Sequence, residues 1–539
     1  FIRFIMNFQK YNPYQDFRAG QEKAIQQMLD LYEKGQKIIE LNAPTASGKT
    51  VSLYVFGRIL EKEFGLKKIM FTSPQVALIE NGNLFNLPKL VGKRNYKCRA
   101  IEGYTAEDCP FSAKDDGFST CEKCTYRLAK YAFKNSDFGA VTFKRYLVDP
   151  SIYSETKGLV VDESSELEGQ LLDNSTIDLD LNINVITKKK RISEQVPDVK
   201  QFLNNFNIKE YLIKQRDSLQ ISVNTSGKNC REFRRGIFDG DKRRPTKDEL
   251  RRLKSRKIEY NNFHRKYVST CNALRYINLD VPYALVTDIQ EVWNDKTRRK
   301  EQAVVPTFKL LNAYVPFGDL AASLNCIVLA SGTPTTELVT TKHTSVKVGH
   351  PIPVKNRLIY YDPVGSMNYQ NRDKVAPLIA SRIQQLHDTY CKHTIVHCGS
   401  YYIANLIYQN LSGEHVVCQE PDWREGSLEK WQKKQEGIFL SVRFEEGISL
   451  DGPNYPMNII AKLPFPNLGN SWVESRNKLD NWQWYAMTTA CLVQQACGRT
   501  TRGPNDFSET HILDGSFGPF YYRNKHLFHD WFIEAIRTK

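Results

Sequence analysis

The chain has 539 residues, 41% of them apolar and 25% charged, and Lys plus Arg outnumber Asp plus Glu by 75 to 60, a net charge of +15. That length supplies several domains with cores of their own. No run approaches the roughly 18 apolar residues of a membrane helix, and the basic balance suits a polyanionic partner, nucleic acid first among them.

Strand-like apolar runs alternate with helical stretches along the chain. "KIIEL" leads through a Gly/Ser turn into an apolar helix, Val51–Leu60. "KKIMFTS", "KGLVVDE", "LNCIVLASG", "HTIVHCGS", "GIFLSVR", "MNIIAKLPFP" and "ETHILDG" follow as strands. Short β-branched runs separated by helices predict parallel sheets covered on both faces. There are enough strands for two such sheets, meeting near Val346. Two segments break the pattern. One is cysteine-rich, and the other, about 170–303, has long charged helical stretches. Within the second, Thr225–Arg275 carries 16 Lys/Arg against 6 Asp/Glu. Such a run is either a solvated helical face or a surface that meets phosphates.

Four of the twelve cysteines, Cys98, Cys109, Cys121 and Cys124, lie within 27 residues, spaced C-x10-C-x11-C-x2-C. The other eight stand singly, in apolar settings such as that of Cys326, and read as reduced core thiols. The cluster therefore reads as a metal site rather than a disulfide knot. Structural zinc sites usually pair two short hooks, and only Cys121/Cys124 makes one. Four thiolates serve an iron–sulfur cluster equally well, so spacing alone leaves zinc and iron open.

Residues Ala43, Pro44, Thr45, Ala46, Ser47, Gly48, Lys49 and Thr50 match a phosphate-binding loop with Ala at its first glycine position, between a strand and a helix. Gly48 lets backbone N–H groups close on phosphate oxygens. Lys49 neutralises β/γ-phosphate charge, and the Thr50 hydroxyl suits Mg²⁺. A second carboxylate-bearing strand is then required. "KGLVVDESSE" supplies it, with Asp162 for Mg²⁺ and Glu163 to orient or activate water. In "CLVQQACGRTTRGPNDF", Gln495, Arg499 and Arg502 offer the arginine-rich half of an ATPase site; three apart, the two arginines share one face if the segment is helical.

With these pieces in place the chain resembles the XPD/DinG family of iron–sulfur superfamily 2 helicases over nearly its whole length. "FRAGQ" (Phe17–Gln21) is similar to an entry motif that contacts adenine through Arg18 and Gln21. "NAPTASGKT" resembles motif I, "FTSPQ" (Phe71–Gln75) motif Ia, and "GKRNYKC" (Gly92–Cys98) the lead-in to the first cluster cysteine. "VTFKRYLVDP" resembles the segment before motif II. "VVDESS", "ASGTPT" (Ala330–Thr335), "EEGISLDG" (Glu445–Gly452) with "IIAKLPFP", and "QACGRTTR" (Gln495–Arg502) resemble motifs II, III, V and VI. The chain departs from the pattern in motif II, where Ser164-Ser165 stands for Ala-His, and in motif V, where Ser449 replaces Asp and Glu445 replaces Trp.

The resemblance implies an α/β protein of two RecA-like parallel-sheet domains. The first is split as 1–91, 136–169 and 304–345, around an Fe–S domain at 92–135 and a mainly helical arch at 170–303. The second is 346–539. It implies ATP with Mg²⁺, a [4Fe–4S] cluster on Cys98, Cys109, Cys121 and Cys124, and 5′→3′ translocation on single-stranded DNA that opens forks or RNA–DNA hybrids. The protein is then expected to work as a monomer, off the membrane, in the cytoplasm at the nucleoid or in a nucleus. Trp482, Trp484 and Tyr485 are candidates for base stacking, with core packing the first explanation for such a run. Two other readings stay open: an ATPase that remodels protein–DNA complexes without unwinding, and a scaffold with a degenerate nucleotide site.

Overall fold

The structure is a computed structural model, and it describes residues 7–74, 76, 79, 86–99, 102–109, 124–183, 191–238, 246–294, 299–333, 344–411, 413, 415–421, 424–442, 450, 453–501, 503 and 506–538. In chain order its strands begin with β1 (Ile38–Asn42), β2 (Ile69–Ser73), β3 (Lys89–Leu90), β4 (Phe138–Thr142) and β5 (Gly158–Asp162). Next come β6 (Ile177–Asp178), β7 (Tyr283–Asn294), β8 (Arg299–Leu310), β9 (Cys326–Ser331) and β10 (Thr344–Lys347). β1 to β5, β9 and β10 form one seven-stranded sheet in the order β10-β1-β9-β5-β2-β4-β3, with every pairing parallel.

A second seven-stranded parallel sheet follows. It contains β11 (Ile359–Gly365), β12 (His393–His397), β13 (Val416–Cys418), β14 (Gly437–Ser441), β15 (Met457–Ile460), β16 (Glu509–Asp514) and β17 (Ile536–Thr538). Its order is β13-β14-β12-β15-β16-β11-β17. The two-sheet α/β architecture read from the sequence is thus the one observed.

The strands are apolar on both faces because both faces are covered. Along β5, Leu159 and Val161 pack with Val141, Ile327 and Leu329. Val160, between them, packs on the other face with Ile39, Leu41 and Val328. This is the period of two expected of a strand. Full burial of a Val or Leu side chain stabilises by about 1.5–3 kcal/mol, so the sheet centre dominates the stability of the first domain.

The excursion between β5 and β9 is helical only in part. Helices Ile208–Phe238 and Lys247–Asn278 lie side by side, each 31 or 32 residues long. At 1.5 Å per residue they reach about 47 Å. Thr246 caps the second with a full capping box to Glu249. After Asn278 the chain becomes a long β-hairpin. β7 pairs antiparallel with β8 from Tyr283↔Leu310 to Asn294↔Arg299, and β6 joins β8. The hairpin crosses the expected boundary at 303, and its inner residues Val286, Val304, Phe308 and Leu310 join the first domain's core. The last strand of the first sheet ends at Lys347, and β11 opens the second at Ile359.

Candidate active site

The phosphate loop leaves the C-terminal end of β1, where α/β sheets bind ligands. Ala46 (φ 68°) and Gly48 (φ 75°) take left-handed conformations. Alternation of hand along a short loop turns successive N–H groups inward, as anion-binding nests require. Gly48 has a second constraint, since a side chain there would collide with the Gln21 amide. Helix Lys49–Lys62 starts immediately after it. Arg18 and Gln21 are brought to this loop. Gln21 Nε2 donates to Gly48 O at 2.8 Å, Arg18 N donates to Gln21 Oε1 at 2.6 Å, and the Arg18 guanidinium bonds Ala46 O. The two side chains thus brace the loop backbone.

β5 carries its carboxylates to the same place. Lys49 Nζ lies 2.8 Å from Glu163 Oε1 and 3.7 Å from Asp162 Oδ1. Thr50 Oγ1 donates to Asp162 Oδ2 at 2.8 Å. Burial pushes the Asp162 carboxyl above the usual carboxylate range, and the Lys49 ammonium opposes that rise. Glu163 adopts φ 55°, ψ 52°, a conformation that costs a non-glycine residue about 1–2 kcal/mol. Strain of this kind is characteristic of functional turns, and here it places the half-exposed Glu163 carboxylate on Lys49. A hydroxyl and a buried carboxylate in direct contact, with a cation beside them, fit a divalent ion held by Thr50 and Asp162.

The second domain supplies the facing wall. Helix Gln483–Cys497 points its C-terminus at the phosphate loop. Gly498 approaches so closely that a Cβ would strike the Thr45 hydroxyl. Gln495 Nε2 donates to Ser165 Oγ at 3.3 Å, across 330 residues of sequence. Cys491, one turn earlier, has its thiol 3.1 Å from Thr333 Oγ1, and Ser331 Oγ lies 3.1 Å from that same oxygen. Arg499 is buried. Burial, with the Arg499 charge behind it, pushes the His397 imidazole down to about 3, so that ring is neutral where it meets Asn458 Oδ1 at 3.1 Å. Arg502 lies outside the described residues, as do Gln75, Pro334, Thr335, Glu445 and Ser449.

The cysteine region is described in part. Cys98 sits on a small hairpin, with Lys97 paired to Thr105 and Cys98 N donating to Tyr104 O at 2.7 Å. Cys124 stands at the N-terminus of helix Thr125–Lys134. Cys98, Cys109 and Cys124 are half-buried, and Cys121 lies outside the described residues. Among the described residues no three donors converge as a metal set.

Part of the basic run is committed elsewhere. Lys254 pairs with Asp108 at 2.8 Å and lies over the Tyr104 ring, and Lys257 Nζ donates to Cys109 O at 2.6 Å. Burial pushes Lys257 below the usual lysine value. These two lysines hold the long helix onto the cysteine module. Arg251 and Arg252 remain exposed, the latter beside Asp248 at 2.8 Å. Of the aromatic candidates, Trp484 packs edge-on against Trp472 at 5.1 Å and Tyr485 stacks on Phe465 at 5.7 Å. Only Trp482 is exposed, at 53%.

A phosphate loop on one parallel sheet thus faces the C-terminal end of a helix of the other domain, with the buried Arg499 just beyond that end. Residues 383–534 match the family "Helicase C-terminal domain". The whole chain superposes on solved XPD structures. One is Xpd4 of S. tokodaii, with TM-score 0.53 and 15% identity over 97% of this chain and 100% of that one. Another is an XPD helicase, with TM-score 0.58 and 14% identity over 98% and 100%. A third is an apo XPD, with TM-score 0.54 and 14% identity over 96% and 99%. The chain thus carries a helicase C-terminal domain match over residues 383–534 and shares the fold of these structures over nearly its whole length.

Proposed function

We propose that the protein unwinds DNA by pulling itself along one strand, 5′→3′, with ATP hydrolysed between its two RecA-like domains. The observation that carries this is the cleft itself: Lys49, Asp162 and Glu163 on one wall, Gln495 and the buried Arg499 on the other, joined by the Gln495–Ser165 bond. Lys49 stabilises phosphate charge, Glu163 orients the attacking water, and Arg499 approaches the γ-phosphate from the second domain. Mg²⁺ held by Thr50 and Asp162 would neutralise charge on the phosphates. Opening and closing of the cleft then alternates the grip on the strand. The exposed Trp482 supports a base-stacking contact. The cysteine run supports a [4Fe–4S] cluster, by its spacing and its lead-in.

The test is unwinding of duplexes with 5′ or 3′ single-stranded tails. ATP-dependent separation of the 5′-tailed duplex alone is expected. Separation of the 3′-tailed one alone would overturn the polarity. ATPase activity with neither would favour remodelling of protein–DNA complexes.

The phosphate contacts of the long helices are assigned to their exposed cations. Arg251→Ala with Arg252→Ala is expected to flatten the salt dependence of DNA affinity by roughly one unit of slope per lost contact, equally for all sequences. Measured slopes equal to wild type would return these arginines to a solvated face. Lys254 is excluded from this test because its pair with Asp108 ties the helix to the cysteine module, whereas the Arg252–Asp248 pair lies within one exposed helix face.

A further inference from the structure

We propose that Ser165 is a positioning residue of the ATPase cycle: it holds Gln495, and through it the C-terminal end of helix Gln483–Cys497 with Arg499 just beyond, against the end of β5. The inference rests on the ATPase reading above. In the resembled family a histidine stands at this position. Here Ser165 Oγ accepts a hydrogen bond from Gln495 Nε2 at 3.3 Å. Ser165 follows Asp162 and Glu163 by three and two residues, so whatever moves these carboxylates moves its hydroxyl too.

The partner helix is built to read that movement. Cys491 and Gln495 are spaced by four, which sets them along one face of the helix. Cys491 touches Thr333 at the end of β9, and Gln495 touches Ser165 just beyond β5. β5 and β9 are neighbours in the sheet. The helix thus rests on two adjacent strand ends, one carrying the catalytic carboxylates, and Arg499 follows just beyond its C-cap, Gly498. Gln495 Oε1 is buried with no hydrogen-bond partner among the described residues, so there the side chain is held through its amide nitrogen. Losing Ser165 Oγ would free it.

The neighbouring residue provides an internal control. Ser164 is fully buried, and its hydroxyl has no hydrogen-bond partner among the described residues. Removing an unpaired buried hydroxyl is neutral or stabilising. The two serines therefore differ in role despite equal chemistry.

The experiment is steady-state ATPase with saturating single-stranded DNA. Ser165→Ala is expected to lower kcat about 5- to 10-fold, the scale of one neutral interdomain hydrogen bond, with KM for ATP unchanged within twofold. Ser165→Thr, which keeps the hydroxyl, should restore most of the rate. Ser165→Ala combined with Gln495→Ala should be no slower than Gln495→Ala alone, because the pair acts as one unit. Ser164→Ala should keep wild-type kcat and an equal or higher melting temperature. Equal kcat in wild type and Ser165→Ala, or full additivity in the double variant, overturns the positioning role. Absence of ATPase in the wild type would instead overturn the reading on which it rests.

Discussion

Lys49→Ala is expected to lower DNA-stimulated ATP turnover by about 10²-fold or more while the chain still folds. The ammonium is 11% exposed and sits between two carboxylates, 2.8 Å from Glu163 and 3.7 Å from Asp162. When a nucleotide enters, the same charge is available to the β- and γ-phosphates. Removing one such group from a preorganised, water-poor site typically costs 10²–10³-fold. A second loss compounds the first. Asp162 is already pushed toward protonation by burial, and Lys49 is the cation that opposes it. Without Lys49 the carboxyl pKa rises further, so a larger fraction is neutral at a given pH and fewer chains can hold a divalent ion. The deficit should therefore shrink in part as pH or Mg²⁺ is raised. Steady-state ATPase with a thermal melt as folding control decides it, and turnover within twofold of wild type removes the phosphate-loop assignment.

Cys124→Ser is expected to abolish iron binding and strand separation together, yet to leave ATP hydrolysis stimulated by single-stranded DNA. Cys124 begins the helix Thr125–Lys134, whose Tyr126 and Phe133 enter the core of the first domain. That helix is anchored independently of any metal, so the substitution should not unfold the sheet. The residues between Cys98 and Cys124 have few apolar side chains, and metal ligation should supply much of their local stability. The nucleotide cleft is built from β1, β5 and the second domain, none of which contains these cysteines. Anaerobically purified wild type should carry about four irons per chain, the count for the cluster type proposed. Zinc in their place would refute the cluster. Normal unwinding by an iron-free variant would refute a role at the fork.

How much of this was legible in the sequence depended on range. The phosphate loop could be read because its chemistry demands strand, loop and helix in one short stretch, and Ile38–Asn42 followed by Lys49–Lys62 supplies them. β5 was equally plain, five buried residues ending in Asp162. β4, "FGAVT", as long and as buried as β5, was missed as a strand because Gly139 and Ala140 at its centre interrupt the apolar run. The β7–β8 hairpin was missed because the face opposite Val286 carries Leu285, Thr287 and Ile289, so apolar and polar residues do not alternate cleanly along β7. Contacts between distant residues were invisible. Nothing in "KSRK" announces that Lys254 answers Asp108, or that Lys257 caps the Cys109 carbonyl. A charge count reads both as solvent-facing or phosphate-facing, whereas each is committed to the cysteine module. In the same way "DESS" looks like a motif missing its histidine until Gln495 is seen to meet the second serine.

The strand order of the first sheet sets a timetable for biosynthesis. β9 lies between β1 and β5, at the centre of the sheet, yet it is made long after both. From Asp162, the end of β5, to Ser331, the end of β9, the ribosome adds 331 − 162 = 169 residues. At about 5–20 residues per second this takes roughly 10–30 s. Throughout that interval β1 and β5 each present an unpaired apolar edge that will become the middle of the domain, the kind of edge that recruits other chains. The two long helices and the hairpin emerge in the meantime and can fold locally, since their contacts are close in sequence. The nascent chain thus carries a finished appendage on an unfinished ATPase domain, and ribosome-bound fragments ending before Cys326 should be the ones that chaperones retain and proteases remove.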